Sequence, residues 1–197
     1  MALRDLLVHV DSTELAAKRL RVAVELARLH GARLTGMWAE GVSIGPSIVG
    51  RRDPDQVAKA AARARELFEA QAGAAGISSG FWSVDARDDA ELAEWVVRGC
   101  RYVDLAIFGG PTGDEGDRLP EDLVEELCIE AGRPILAIPP RVPVGRVGDS
   151  VLVAWTGSRS SARAVNDALP ILARAKEVTV ISIQLPGAKS SAGAMPP

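Results

Sequence analysis

A short continuous apolar run, Leu6 to Val10, passes directly into Asp11-Ser12-Thr13 and then into a helical pattern. A run without polar alternation marks a strand covered on both faces, as in a parallel sheet buried between helices. The run also recurs. Leu152-Val153-Ala154-Trp155-Thr156-Gly157-Ser158 repeats it at an offset of 145, with Thr156 in register with Asp11, and is again followed by a helix and a second apolar strand. That period is far longer than the roughly 20–50 residues of a solenoid repeat, so it reads as a duplicated domain whose second copy stops early.

Taken in order, the chain alternates strands with helices. The first helix carries Ala16, Leu20, Ala23, Val24 and Ala27 on one stripe, with Ser12 or Thr13 as its N-cap and Gly31 as a left-handed C-cap. A strand at residues 33–39 follows. Residues 40–53, with Gly41, Gly45, Pro46 and Gly50, form a long loop ending in the basic pair Arg51-Arg52. An alanine-rich helix at 54–75 presents Val57, Ala61, Ala64, Leu67 and Phe68, and a short strand is expected at Phe81 to Val84. Asp88-Asp89 suits the start of a third helix through Leu92, Trp95, Val96 and Gly99. The strand Leu105 to Phe108 ends in Gly109-Gly110, and a polar loop, a helix at 120–131 and the strand Pro134 to Ile138 complete five βα units. The expected fold is a doubly wound, Rossmann-like parallel sheet of five strands, whose ligands sit at strand carboxyl ends near the switch in strand order.

These readings divide the chain into a domain at 1–140, a linker at 141–150 set by prolines and glycines, a partial βαβ unit at 151–184 and a disordered tail at 185–197. In the partial unit Ala164, Ala168, Ile171 and Leu172 are expected to face inward. A βαβ crossover cannot cover its own apolar faces, so it must pack on the first domain or on another chain.

Composition narrows the function classes. The chain is 47% hydrophobic and 25% charged with a net charge of −3, enough for a real core and without a general pull toward nucleic acid or anionic membrane. No window reaches the roughly 18 apolar residues of a membrane span, and Met-Ala-Leu-Arg-Asp leads straight into the first strand without a signal-peptide pattern. The expected location is cytoplasmic. Cys100 and Cys128 both lie in apolar helical patterns and read as small buried hydrophobes. His9 and His30 lack ligands at metal spacing, so no metal is expected.

Three segments together resemble the universal stress protein family: Leu6–Val10 ending in Asp11-Ser12, Leu105–Phe108 ending in Gly109-Gly110, and Gly132-Arg133-Pro134-Ile135-Leu136-Ala137-Ile138. The likeness spans residues 3–139, and residues 151–183 are similar to the first third of another such domain, as in tandem bacterial members. It implies an adenine nucleotide alpha hydrolase-like fold and a nucleotide site. In binding members an Asp ends strand one, and a loop of Gly-x-x-Gly, nine residues, then Gly and Ser or Thr cradles the phosphates. By that resemblance the candidate nucleotide-binding residues are Asp11, Ser12, Gly109, Gly110 and Gly113, with Arg51 or Arg52 reaching toward phosphate.

Two features set this chain apart. Nine residues after Gly110-Pro111-Thr112-Gly113 come Leu123-Val124, so the second Gly-Ser/Thr pair is missing. The loop and helix start carry Asp114, Glu115, Asp117, Glu121 and Asp122 against Arg118. A phosphate held about 4 Å from one such carboxylate costs about 1 kcal/mol even at the dielectric of water. Catalytic patterns are absent too: there is no Gly-x-Ser-x-Gly elbow, Walker lysine or Cys-His pair. The leading expectation is a non-enzymatic cytoplasmic stress-response protein with a degenerate nucleotide site, working without a cofactor through homodimerisation or an unidentified protein partner. The alternative is an adenine-nucleotide (ATP or AMP) sensor using Asp11 and the Gly109–Gly113 loop, and a slow ATPase is a third reading.

Overall fold

The computed structural model describes residues 2–41, 53–110, 119–120, 122–140 and 147–182. They belong to two compact units, Ala2–Gly145 and Arg146–Pro197. The first unit contains β1 (Asp5–Val10), α1 (Leu15–His30), β2 (Arg33–Trp38), α2 (Pro54–Ala74), β3 (Ser79–Ser83), α3 (Asp89–Cys100), β4 (Leu105–Gly109), α4 (Leu123–Glu130) and β5 (Ile135–Ile138). All pairings are parallel and the order is β3-β2-β1-β4-β5. The chain winds outward from β1 to β3, then returns to the other side of β1. The switch point therefore lies between the carboxyl ends of β1 and β4, as the doubly wound reading expects.

Central position explains the composition of β1. Leu6, Leu7, Val8 and Val10 are buried, as are Leu105, Ala106, Ile107 and Phe108 of the neighbouring β4. Helix α1 lays Ala16, Leu20, Ala23 and Ala27 against the sheet, with Val24 half-buried. It ends at Gly31, where φ is +63° and the Ala32 N–H closes on the Ala27 carbonyl, a geometry that glycine adopts without steric penalty. On β2, an ideal Cβ at Gly36 would fall 2.7 Å from the Phe68 ring, so the missing side chain lets α2 press directly onto the sheet. Asp53 and Asp88 cap α2 and α3 by accepting the N–H groups of Asp55 and Glu91.

Several local expectations need correction. Neither Ser12 nor Thr13 caps α1; Glu14 stands at that position without a side-chain cap, because Thr13 donates its hydroxyl to Asp11 instead. Strand β3 begins at Ser79 rather than Phe81, since an edge strand needs only backbone pairing there. Helix α4 begins at Leu123 rather than Pro120. Cys100 is buried, whereas Cys128 is exposed on the outer face of α4.

The second unit holds β6 (Ser150–Ala154), α5 (Arg159–Leu172) and β7 (Glu177–Ile181), with β6 and β7 parallel. Ser158 opens α5 with a capping box closed by Ser161. Ala168, Ile171 and Leu172 are half-buried, but Ala164 is exposed, contrary to its expected inward position. One helix cannot cover both faces of two strands, and Leu152 and Val180 are each 62% exposed. Residues 111–118, 141–146 and 183–197, with the expected tail, lie outside the described residues, as do Arg51 and Arg52.

Candidate functional site

Asp11 follows the last residue of β1 and is only 6% exposed. Its carboxylate is fully engaged. Oδ1 accepts the Thr13 backbone N–H at 2.9 Å and the Thr13 hydroxyl at 2.5 Å, and Oδ2 accepts Nη2 of Arg19 at 2.5 Å. Arg19 comes from α1 and is itself 4% exposed. Its Nε donates to the His9 carbonyl at 3.1 Å, so the guanidinium ties α1 to the end of β1 twice.

The same guanidinium lies over β4. An ideal Cβ at Gly109 would sit 2.9 Å from Nη1 of Arg19, so the charged end of the side chain lies directly against this glycine. Arg19 thus stands at the switch point, between Asp11 on one strand end and Gly109 on the next. The Gly110 N–H donates to the Ile138 carbonyl at 2.9 Å, which removes it from the donors a phosphate would need. Beside this group, Lys18 donates to the carbonyls of Pro139 and Pro140, joining α1 to the chain just after β5.

His9 completes the cluster from beneath. It is 1% exposed and stacks on Phe108, with centroids 5.6 Å apart and planes 14° from parallel. Burial and the Arg19 charge lower its pKa from 6.5 to about 4, outweighing Asp11, the Ala39 carbonyl and Glu40. The imidazole is therefore neutral near pH 7. Nε2 lies 2.7 Å from the Ala39 carbonyl and must carry the proton it donates there, leaving Nδ1 unprotonated at 3.7 Å from Asp11 Oδ2. For Asp11, burial opposes the charged form, but His9, Arg19 and the two Thr13 hydrogen bonds outweigh it and hold the carboxyl below its usual range.

The structure brings Asp11, Ser12, Gly109 and Gly110 to one edge of the sheet. Gly113 lies outside the described residues. The Ser12 N–H is occupied by the Glu40 carboxylate at 2.8 Å. Sequence reasoning missed Arg19 and His9. The signal for Arg19 was present: it stands three residues after Ala16 and four before Ala23, and so falls on the buried stripe of α1. A charge at that position needs a buried partner, and Asp11 lies eight residues earlier. Among the described residues no group of three or more His, Cys, Asp or Glu is placed to hold a metal ion.

A doubly wound α/β unit with this strand order and a polar switch point belongs to the architecture in which nucleotides are commonly bound. The sequence matches no protein-family profile and no curated protein. Solved structures do match it. A protein from the universal stress protein family from Burkholderia pseudomallei is 24% identical, with 68% of this chain and 95% of that chain covered and a TM-score of 0.52. A universal stress protein from Archaeoglobus fulgidus DSM 4304 is 15% identical, with 93% of this chain and 68% of that one covered and a TM-score of 0.66. A universal stress protein solved in complex with cAMP is 16% identical, covering 71% of this chain and 98% of that one at a TM-score of 0.50. The chain has the universal stress protein fold.

Proposed function

We propose that this chain is a non-enzymatic stress-response protein of the universal stress type, in which the switch-point crevice is filled by Arg19 rather than by a ligand. One observation carries the reading: the Arg19 guanidinium lies between Asp11 and Gly109 with the Asp11 carboxylate already bonded on both oxygens. A nucleotide entering there has to displace a buried ion pair, and separating such a pair without replacement costs about 3–5 kcal/mol. The role then falls to protein contacts, by homodimerisation or with a protein partner in the cytoplasm. Exposed Leu152 and Val180 on the second unit favour such contacts. No helix among the described residues is long and apolar enough to cross a membrane. The second unit is read as a partial repeat of the first: both begin strand, helix, parallel strand, and β6 stands 145 residues after β1. The 93% coverage of this chain by the Archaeoglobus structure supports that reading.

A second reading is favoured by the cAMP complex of a protein with the same fold. In it, an adenine nucleotide binds at Asp11 and the Gly109–Gly113 loop after Arg19 swings away, and the chain works as a sensor. Calorimetric titration with ATP and magnesium, with AMP, and with a dication-free control separates the two. No binding tighter than millimolar supports the filled crevice, and micromolar binding lost on Asp11→Ala supports the sensor. Sedimentation equilibrium tests the dimer: a monomer at every concentration would remove self-association from the proposal.

A further inference from the structure

A cleft of about 690 Å³ opens at the amino ends of β1, β2 and β3, the sheet edge opposite Asp11 and Gly109. That volume lies within the roughly 300–1,000 Å³ of small-molecule sites. Arg4, Arg28 and Arg33 line it, with apolar wall from Ala27, Ala32 and Ile77, and none of its lining residues is an Asp or Glu. Three cations without a carboxylate stand out in a chain whose net charge is −3. None of the three guanidinium groups bonds a carboxylate among the described residues. The Asp104 carboxylate is taken up by the backbone N–H groups of Arg4 and Asp5. Arg33 extends across β3, where an ideal Cβ at Gly80 would approach its Nη2 to 3.2 Å.

The helix ends oppose this charge. Helices α1 and α2 both end at this cleft, and each carboxyl end carries about −0.5 elementary charge. Both ends are already partly satisfied, by the Ala32 and Ile77 N–H groups closing on Ala27 and Ala72. About −1 from the helix ends stands against three guanidinium charges on the lining, and the neighbouring carboxylates, Asp104 on the Arg4 N–H and Asp5 in register with Arg33, lie outside that lining. Guanidinium forks pair with oxyanions through two parallel N–H···O bonds, and three forks match the three free oxygens and double charge of a phosphate monoester better than a single carboxylate.

We infer that this cleft binds a small phosphate monoester, its phosphate held by Arg4, Arg28 and Arg33 and its organic part against Ala32 and Ile77. The site is independent of the crevice at Asp11, so either proposal can fail without the other. The test titrates the ¹⁵N-labelled full chain with phenyl phosphate, with benzoate as the singly charged control. The expected result is saturable shifts of the Gly31, Ala32, Gly76 and Ser78 amides, with benzoate much weaker. Affinity should fall about tenfold or more in Arg28→Ala/Arg33→Ala, two exposed positions whose truncation leaves the core intact. Ile77→Asp, which places a carboxylate in the wall, should give a comparable loss. Absence of saturable shifts, shifts centred on Asp11 and Gly109 instead, or an affinity unchanged in the double variant would overturn the inference.

Discussion

Replacing Arg19 by Met keeps most of the side-chain volume and removes the charge, so it isolates what the guanidinium does. The variant loses the bond from Nε to the His9 carbonyl and the ion pair with Asp11, and leaves that carboxylate at 6% exposure without its cation. Breaking a buried pair by removing one partner costs about 3–5 kcal/mol. Asp11 keeps two donors from Thr13, which places the expected loss at the low end, about 3 kcal/mol at pH 7. For a chain of this size that corresponds to a fall in Tm of about 6–12 °C. The penalty must also depend on pH with a defined sign. In the parent, Asp11 has a depressed pKa, so its stabilisation is present above the usual carboxylate range and is lost as pH falls through the folded-state value. In Arg19→Met one of the influences that lower that pKa is gone while burial still opposes the charge, so Asp11 takes up its proton at higher pH than in the parent and protonation relieves the variant first. Urea unfolding followed by circular dichroism at pH 7 and pH 4 should show the two proteins converging in acid. Pairing Arg19→Met with Asp11→Leu should recover about 2 kcal/mol of coupling. A loss below about 1 kcal/mol, or one equal at both pH values, would mean that the pair is solvated and that Arg19 does not fill the crevice.

Two further outcomes follow from the same cluster and from the thiols. Because the His9 pKa is lowered from 6.5 to about 4, the unfolded chain binds a proton in that window that the folded chain does not, and stability falls as pH drops across it. At 1.36 kcal/mol per pKa unit this amounts to about 3 kcal/mol, and His9→Gln should flatten the slope of stability against pH between those limits. In native conditions an aromatic disulfide reagent should label Cys128 and spare Cys100, whose thiol is buried and pushed up to about 12. Rapid labelling of both would show that α3 opens readily.

Much of the sheet was legible because burial on both faces leaves a plain mark. Leu6–Val10 reads as a strand covered on both faces and Leu105–Phe108 as a further apolar strand, and they are the two that flank the switch point. Gly31 was legible for a similar reason, since a helix end in the left-handed region favours glycine. The edge was harder. Ser79 and Gly80 look like a loop, yet backbone pairing with Leu34 and Thr35 draws them into β3. Cys128 shares an apolar helical pattern with buried Leu123 and Leu127, but α4 is a single short helix and only that stripe meets the core.

The site was half legible. Asp11, Gly109 and Gly110 mark the right sheet edge, but their chemistry is set by Arg19, whose significance depends on a contact between α1, β1 and β4 that no local pattern displays. A strand-end Asp looks the same in sequence whether it awaits a ligand or already holds an arginine. The difference lies in the position on α1 that faces it, where a small residue would leave the crevice open and Arg19 fills it.

The most direct test of the filled crevice is calorimetric titration of the full chain and of Arg19→Ala with ATP and magnesium. The expected result is no binding tighter than millimolar in the parent, with binding appearing or strengthening in Arg19→Ala as the space beside Gly109 opens. Micromolar binding by the parent, lost on Asp11→Ala and not improved on Arg19→Ala, would contradict it.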